Sequence, residues 1–174
     1  MDELKKYIGC DAHKNLAQCW ITKYIPLTWS FISIITLILT MIFNVNKKIQ
    51  FFIVSLVILN SIIGSLMIHV FFKDKIRKYF KLKPIFILLY DLILHILVLF
   101  AILFYYNPPT ITNKELLIGV TIVSIIFYIY QQIIDVRLLY FSLIPDNVSL
   151  NQTYCKISYI IVYGILLSVY RKNV

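Results

Sequence analysis

The chain has 174 residues, of which 60% are hydrophobic and 14% are charged, and its formal net charge is +9. Soluble domains are about 45–50% apolar and roughly 25% charged, and a soluble chain of this length would still expose about a third of its unfolded surface to water. The composition therefore excludes a soluble globular domain and predicts an integral membrane protein, in which lipid covers the excess apolar surface.

The N-terminal segment, residues 1–24, is polar and lacks the apolar core of a signal peptide. Leu4, Ile8, Leu16 and Trp20 recur at roughly helical spacing. This segment is therefore expected to form either an amphipathic helix on the membrane surface or an irregular tail. Targeting is then expected to depend on the first transmembrane segment.

Five apolar stretches define a transmembrane domain over residues 25–174. The first three have about the length that a helix needs to cross ~30 Å of hydrocarbon. They lack the alternation of barrel strands, and backbone groups in lipid must pair within their own segment, so each is predicted to be a helix. The predicted spans are residues 25–43, 51–72, 85–106, 116–144 and 157–170.

The last two stretches do not have the length of a simple span. Residues 116–144 are longer than a bilayer requires, so they are expected to tilt, to extend into the headgroups, or to break near Gln131, whereas residues 157–170 are short. The sequence therefore predicts an all-α polytopic helical bundle with four or five transmembrane helices.

The distribution of charge predicts the orientation. The connection KDKIRKYFKLK, residues 73–83, contains six basic residues and one acid, so it and the N-terminus are predicted to be cytoplasmic. Two glycosylation sequons, at Asn147 and Asn151, oppose this orientation because sequons are modified only on the lumenal side. The basic residues also favour contact with anionic lipid headgroups, and nucleic acid is not expected as a partner.

The stretch LLYDLILHIL carries the most informative residues. Asp91 and His95 lie four residues apart in the third predicted span, so they share one face of a helix. An ionised carboxylate at that depth costs ~2.5–3.5 kcal/mol to insert. The pair fits a proton relay, a cation site or an acid–base pair. The alternative is a polar clasp between helices, whose hydrogen bonds contribute ~0.6 kcal/mol each.

The second predicted span offers partners for this pair. Its stretch LNSIIGSLMIH has small residues four apart, Asn60 with Gly64 and Ser61 with Ser65, which predicts close packing against another helix. Asn60 lies near the middle of the span and is the expected hydrogen-bond partner of Asp91. His69 lies at the basic end of the span, where it is expected to be inert.

The fourth stretch contains three further candidates. Gln131 and Asp135 share one helix face and are candidate ion or proton site residues. Arg137 is expected to contact a lipid phosphate or another anionic group, or to act as an anchor at the interface. No metal site and no cofactor are expected. Of the three cysteines at least one is unpaired, and Cys10 and Cys19 lack a His at zinc-site spacing.

One segment resembles a known family. YDLILHILVLFAILFYYN, 18 of the 174 residues, resembles a helix of TLC-domain lipid proteins, in which an Asp precedes a His pair and a Ser-Tyr-Asn end follows. Here the His pair is reduced to His95, and the later His-Asp segment is absent. The resemblance implies a lipid-modifying membrane enzyme that uses His95 and Asp91.

The leading hypothesis is a small multi-pass membrane protein without enzymatic activity, either a carrier or channel-like unit or a subunit of a membrane assembly. The alternatives are the lipid-modifying enzyme and a purely structural subunit. The expected partners are the bilayer and either other membrane subunits or further copies of the chain. Transport predicts a hydrated cavity around Asn60, Asp91 and Gln131, and an enzyme predicts a lateral opening beside His95.

Overall fold

The structure, a computed structural model, describes residue 10 and residues 16–66, 69, 83–134 and 149–171. Every regular element in these ranges is helical, so the predicted all-α class is confirmed. Asp135, Arg137 and the basic connection up to residue 82 lie outside the described residues, and the predictions made for them stay predictions.

A lead-in segment of three short helical turns precedes the first long helix. Leu16–Cys19 is α-helical, Trp20–Tyr24 forms a π turn and Ile25–Leu27 forms a 3-10 turn. Cys19 is joined by a disulfide bond to Cys10, and the two Cα atoms are 5.8 Å apart. The rest of the predicted amphipathic segment lies outside the described residues.

Helix α1, Trp29–Ile42, begins later than the predicted span. Thr28 is extended, and its hydroxyl accepts a hydrogen bond from the Phe31 N–H at 3.3 Å. This cap satisfies one of the backbone donors that the first turn of a helix leaves without a partner.

Four longer helices follow, and three of them are long and apolar enough to cross a membrane. Those three are α2, α3 and α4, whereas α1 and residues 157–170 of the last helix are shorter apolar segments. Membrane-crossing length is therefore confirmed for three of the predicted spans, and the count of four or five spans stays a prediction. The bounds are α2 Lys47–Leu66, α3 Pro84–Tyr105, α4 Asn113–Ile133 and α5 Ser149–Tyr170.

Helix α4 ends two residues after Gln131, because Ile134 is already extended. The predicted stretch 116–144 therefore does not continue as one helix. Helix α4 begins with a capping box. The Thr112 hydroxyl accepts a hydrogen bond from the Glu115 N–H, and the Glu115 carboxylate accepts one from the Thr112 N–H.

Helix α3 changes its winding in the middle. Pro84–Asp91 and Leu97–Tyr105 are α-helical, and Leu92–Ile96 between them forms a π turn that contains His95. Such turns are rare and often occur at functional sites. The irregularity lies directly after Asp91.

Helix α2 is the centre of the bundle and contacts the other four long helices of the described residues. Its Phe51 belongs to one buried cluster with Tyr163 of α5, and its Val54 belongs to another with Leu37 of α1 and Ile102 of α3. Burial of α2 on several sides explains why it is apolar around most of its circumference.

The outward faces of α3 and α4 are apolar and exposed. Gly119 is the one buried residue among the described residues of α4. Large apolar side chains cover the exposed surface of both helices, among them Ile93, Phe100, Ile122 and Ile129. Apolar surface of this extent marks contact with a membrane or with another protein.

One end of the bundle, here called the Glu115 end, brings together residues from three helices. Lys48 Nζ of α2 lies 2.6 Å from Glu115 Oε1 of α4. Arg171, directly after α5, donates to Asn113 Oδ1 at 2.6 Å. The start of α2, the start of α4 and the last turn of α5 therefore share this end.

The opposite end is here called the Trp29 end. Trp29, at the start of α1, packs on Tyr130 in the last turn of α4, with ring centroids 4.8 Å apart. The Tyr130 hydroxyl donates to the Leu27 carbonyl oxygen at 2.6 Å. Helices α1, α3 and α5 therefore run from the Trp29 end to the Glu115 end, and α2 and α4 run back.

Candidate functional site

Asp91 is fully buried and accepts from three side chains. Its Oδ1 accepts from the Ser65 hydroxyl at 2.7 Å and lies 2.8 Å from His95 Nδ1. Its Oδ2 lies 2.9 Å from His69 Nε2. Ser65, His69, Asp91 and His95 together form the carboxylate cluster, which joins α2 and His69 to α3.

The predicted pairing of Asp91 with His95 is present. Asp91 closes the first α-helical part of α3, and His95 lies in the π turn that follows it. Residues four apart face the same side of a helix, so this contact depends on local geometry alone. The side chain of His95 is only 6% exposed.

Gly64 provides the room for the His95 ring. A Cβ atom built at Gly64 would lie 2.5 Å from His95 Nε2 and 2.9 Å from Cδ2. The small residues four apart predicted that α2 packs closely against another helix. At Gly64 that close contact is with the His95 ring of α3. It also leaves no space for a substrate atom between Nε2 and this part of α2.

His69 is the residue whose importance the sequence interpretation missed. It was expected to be inert, but it supplies the second imidazole of the cluster, and its side chain is 39% exposed. The spacing did contain a signal, because Ser65 and His69 are four residues apart within the predicted span 51–72, and residues at that spacing share one face of a helix. The cluster thus extends from a partly exposed imidazole through Asp91 to a buried imidazole.

The prediction that Asn60 forms a hydrogen bond with Asp91 is wrong. Asn60 Nδ2 donates to the Ser33 hydroxyl at 3.0 Å, and Asn60 Oδ1 accepts from the Tyr159 hydroxyl at 2.6 Å. Asn60 and Ser65 are five residues apart, so they point about 140° apart around α2. Asn60 therefore faces α1 and α5, away from α3.

Asn60 belongs instead to a second buried network, here called the central polar chain. The Trp29 indole N–H donates to the Tyr159 hydroxyl at 3.0 Å, and that hydroxyl in turn donates to Asn60. Trp29, Ser33, Asn60 and Tyr159 thus hold α1, α2 and α5 together. These hydrogen bonds satisfy polar groups that would be costly to leave unpaired in the interior.

Gln131 lies in the last turn of α4, beside Tyr130. Among the described residues, no hydrogen bond joins Gln131 to the carboxylate cluster. The transport hypothesis predicted a single hydrated cavity around Asn60, Asp91 and Gln131. These three residues therefore lie on different faces of the bundle. Asp135 and Arg137 lie outside the described residues.

A cavity of about 330 Å³ opens between α1 and α3, and its lining is apolar. It is neither a hydrated cavity around Asp91 nor an opening beside His95. Among the residues that line it are Leu37, Met41, Val98 and Ile102.

The carboxylate cluster contains three ionisable side chains, His69, Asp91 and His95. Ionised Asp91 can only accept hydrogen bonds, so His69 Nε2 and His95 Nδ1 each carry the hydrogen that faces it when both rings are neutral. In that state the cluster carries one negative charge. Protonation of one ring converts the cluster into a neutral imidazolium–carboxylate pair.

No arrangement of three or more His, Cys, Asp or Glu side chains in the described residues could hold a metal ion.

Comparisons with known proteins add no assignment. No protein-family model, no curated protein and no solved structure matches this chain. The geometry of the carboxylate cluster is therefore the basis for a functional proposal.

Proposed function

We propose that this chain is a multi-pass membrane protein whose carboxylate cluster takes up and releases a proton inside the bilayer, as part of a proton-coupled carrier or a proton-conducting unit. The observation that carries the proposal is the combination of a fully buried Asp91 with a His69 side chain that is 39% exposed. A proton can reach the buried carboxylate through a single side chain.

The composition of the cluster favours a proton site over a clasp. A clasp needs only neutral hydrogen-bonding groups, and the central polar chain already joins helices in that way. The carboxylate cluster instead contains three ionisable side chains, His69, Asp91 and His95, which are costly to retain in hydrocarbon. Imidazole exchanges protons near neutral pH, so the residue types suit repeated uptake and release.

Five crossings suit the helix directions, since consecutive long helices alternate between the two ends of the bundle. Helix α1 has 14 residues and a length of only ~21 Å. The lead-in turn Ile25–Leu27 extends this apolar segment toward the thickness of the hydrocarbon. In this proposal α1 and α5 cross together with α2, α3 and α4.

A lipid-modifying enzyme is the second candidate, and one observation favours it. His69 is partly exposed and is oriented by a buried carboxylate, which is the arrangement of a general base. In that case His69 would act on substrate, because His95 Nε2 is closed off by Gly64. Such an enzyme needs no proton flux across the membrane.

Proton flux into liposomes tests the proposal. Purified protein is reconstituted with a pH-sensitive dye inside, and a pH gradient and a membrane potential are applied. Wild type should exceed empty liposomes, and Asp91→Asn should fall to their level. Ser33→Ala is the matched control, because it removes a buried hydroxyl from the central polar chain and should keep the flux.

Equal flux for wild type and Asp91→Asn would contradict the proposal. Wild-type flux no greater than that of empty liposomes would contradict it as well. After either result, the remaining hypotheses are the lipid-modifying enzyme and the purely structural subunit.

A further inference from the structure

The disulfide between Cys10 and Cys19 has no role in the proton site. Both cysteine side chains are completely buried, and the bond links Cys10 to the last residue of the first lead-in turn. Disulfide bonds persist in oxidising compartments and are rare where glutathione and thioredoxin keep thiols reduced. The disulfide bond therefore indicates that the N-terminal segment lies in an oxidising compartment.

The disulfide lies on the chain just before the Trp29 end. Cys19 is followed by the buried Tyr24, and the Leu27 carbonyl oxygen accepts from Tyr130 of α4. Helix α2 ends and α3 begins at this same end, and His69 follows the last residue of α2 by three positions. The partly exposed imidazole and the disulfide therefore face the same side.

The sequence offers an independent signal for that side. Both sequons, at Asn147 and Asn151, occur between the end of α4 and the first turn of α5. Helix α4 ends and α5 begins at the Trp29 end. Sequons are modified only in the lumen of the secretory pathway, so their position agrees with the disulfide.

We infer that the Trp29 end faces an oxidising, extracytoplasmic compartment and that His69 exchanges protons with that compartment. The orientation stands on the disulfide and the sequons. The role of His69 in proton exchange rests on the proposed function. This orientation is the reverse of the one predicted from the basic connection 73–83.

Formation of the bond is a balanced oxidation. The two thiols lose two protons and two electrons as the sulfur–sulfur bond forms. By thiol–disulfide exchange the electrons pass to a disulfide-bearing oxidoreductase of the compartment, which is reduced to its dithiol.

The basic residues that favour the opposite orientation are unevenly distributed along the chain. The first helix usually dominates insertion, and the bias around α1 is small. Four basic residues precede α1 and two follow it before the apolar part of α2, namely Lys5, Lys6, Lys14 and Lys23, then Lys47 and Lys48. The large cluster 73–83 comes one helix later. A charge bias is a preference, whereas a disulfide needs an oxidant.

Glycosylation mapping tests the orientation in the full chain. A glycosylation acceptor tag is fused before Met1, and the matched variant carries the same tag after Val174. Both are synthesised in the presence of sealed endoplasmic-reticulum microsomes. The N-terminal tag should gain a glycan that an endoglycosidase removes, and the C-terminal tag should not. An unmodified N-terminal tag would overturn the orientation.

Two thiol measurements complete the test, in a Cys155→Ser background that keeps the disulfide. Cys10 and Cys19 should react with a maleimide only after reduction, and reaction without reductant would overturn the inference. His69→Cys should be labelled by an impermeant maleimide added outside intact cells. Labelling only after permeabilisation would contradict the exposure of position 69 to that side. These readouts are independent of flux in liposomes, so failure of the orientation and failure of the proton site are separate results.

Discussion

Gly64 on α2 faces the imidazole of His95 on α3 so closely that a methyl group at position 64 would lie 2.5 Å from Nε2. No side chain larger than hydrogen fits there unless the ring moves. The ring is also the one whose Nδ1 lies 2.8 Å from Asp91 Oδ1. Helix packing and the geometry of the carboxylate cluster are therefore coupled through one glycine.

Gly64→Ala is expected to displace His95 and to reduce proton flux sharply. Overpacking of this kind costs ~1–3 kcal/mol, partly offset by ~1 kcal/mol because alanine favours the helix. Thermal unfolding in detergent should therefore change modestly while flux falls. Gly164→Ala on α5 is the matched control, because nothing lies within 4 Å of a Cβ there. Equal flux in both variants would show that the position of His95 is unimportant.

Replacement of Asp91 should separate charge from shape. Asp91→Asn retains a hydrogen-bonding side chain of similar size and removes a buried charge, so stability should stay the same or rise slightly while flux is lost. Asp91→Leu removes the acceptor of three hydrogen bonds and should cost about 2 kcal/mol, at ~0.6 kcal/mol for each bond. Thermal unfolding and liposome flux measure the two effects. Full activity of Asp91→Leu would show that the cluster is only a clasp.

The two imidazoles should differ in chemical rescue. His69→Ala removes a side chain that is 39% exposed, whereas His95→Ala removes one that is 6% exposed. Free imidazole added to the liposomes is expected to restore flux to His69→Ala, because it can reach Asp91 from the Trp29 end, but not to His95→Ala. Rescue of His95→Ala alone would reverse the proposed direction of access.

Tyr159→Phe is expected to affect stability without affecting the proton site. It removes a hydroxyl that accepts from the Trp29 indole N–H and donates to Asn60 Oδ1, so these two atoms lose that partner, while Asn60 Nδ2 keeps its bond to Ser33. The expected loss is ~1 kcal/mol, within the range for a buried unsatisfied polar group. Flux per folded molecule should equal that of wild type, as measured after correction for the folded fraction. A selective loss of flux at full stability would place Asn60 back in the proton path.

Several features could be predicted from the sequence because they depend on neighbouring residues alone. The helical class follows from apolar stretches that must satisfy their backbone hydrogen bonds internally. The contact of Asp91 with His95 follows from their spacing on one helix. A helix cap near the start of α4 follows from the order of Thr112, Asn113 and Glu115, although the sequence leaves Thr112 and Asn113 as alternatives and the structure has Thr112.

The tertiary structure alone decided which faces of the helices meet. Asn60 and Ser65 are both polar and both lie on α2, and the sequence does not reveal which of them faces Asp91. The rotation of α2 against α3 decided it, and that rotation depends on where Gly64 allows the His95 ring to approach. The same rotation brought His69 to the second oxygen of Asp91, across two helices that contact each other only in the folded bundle.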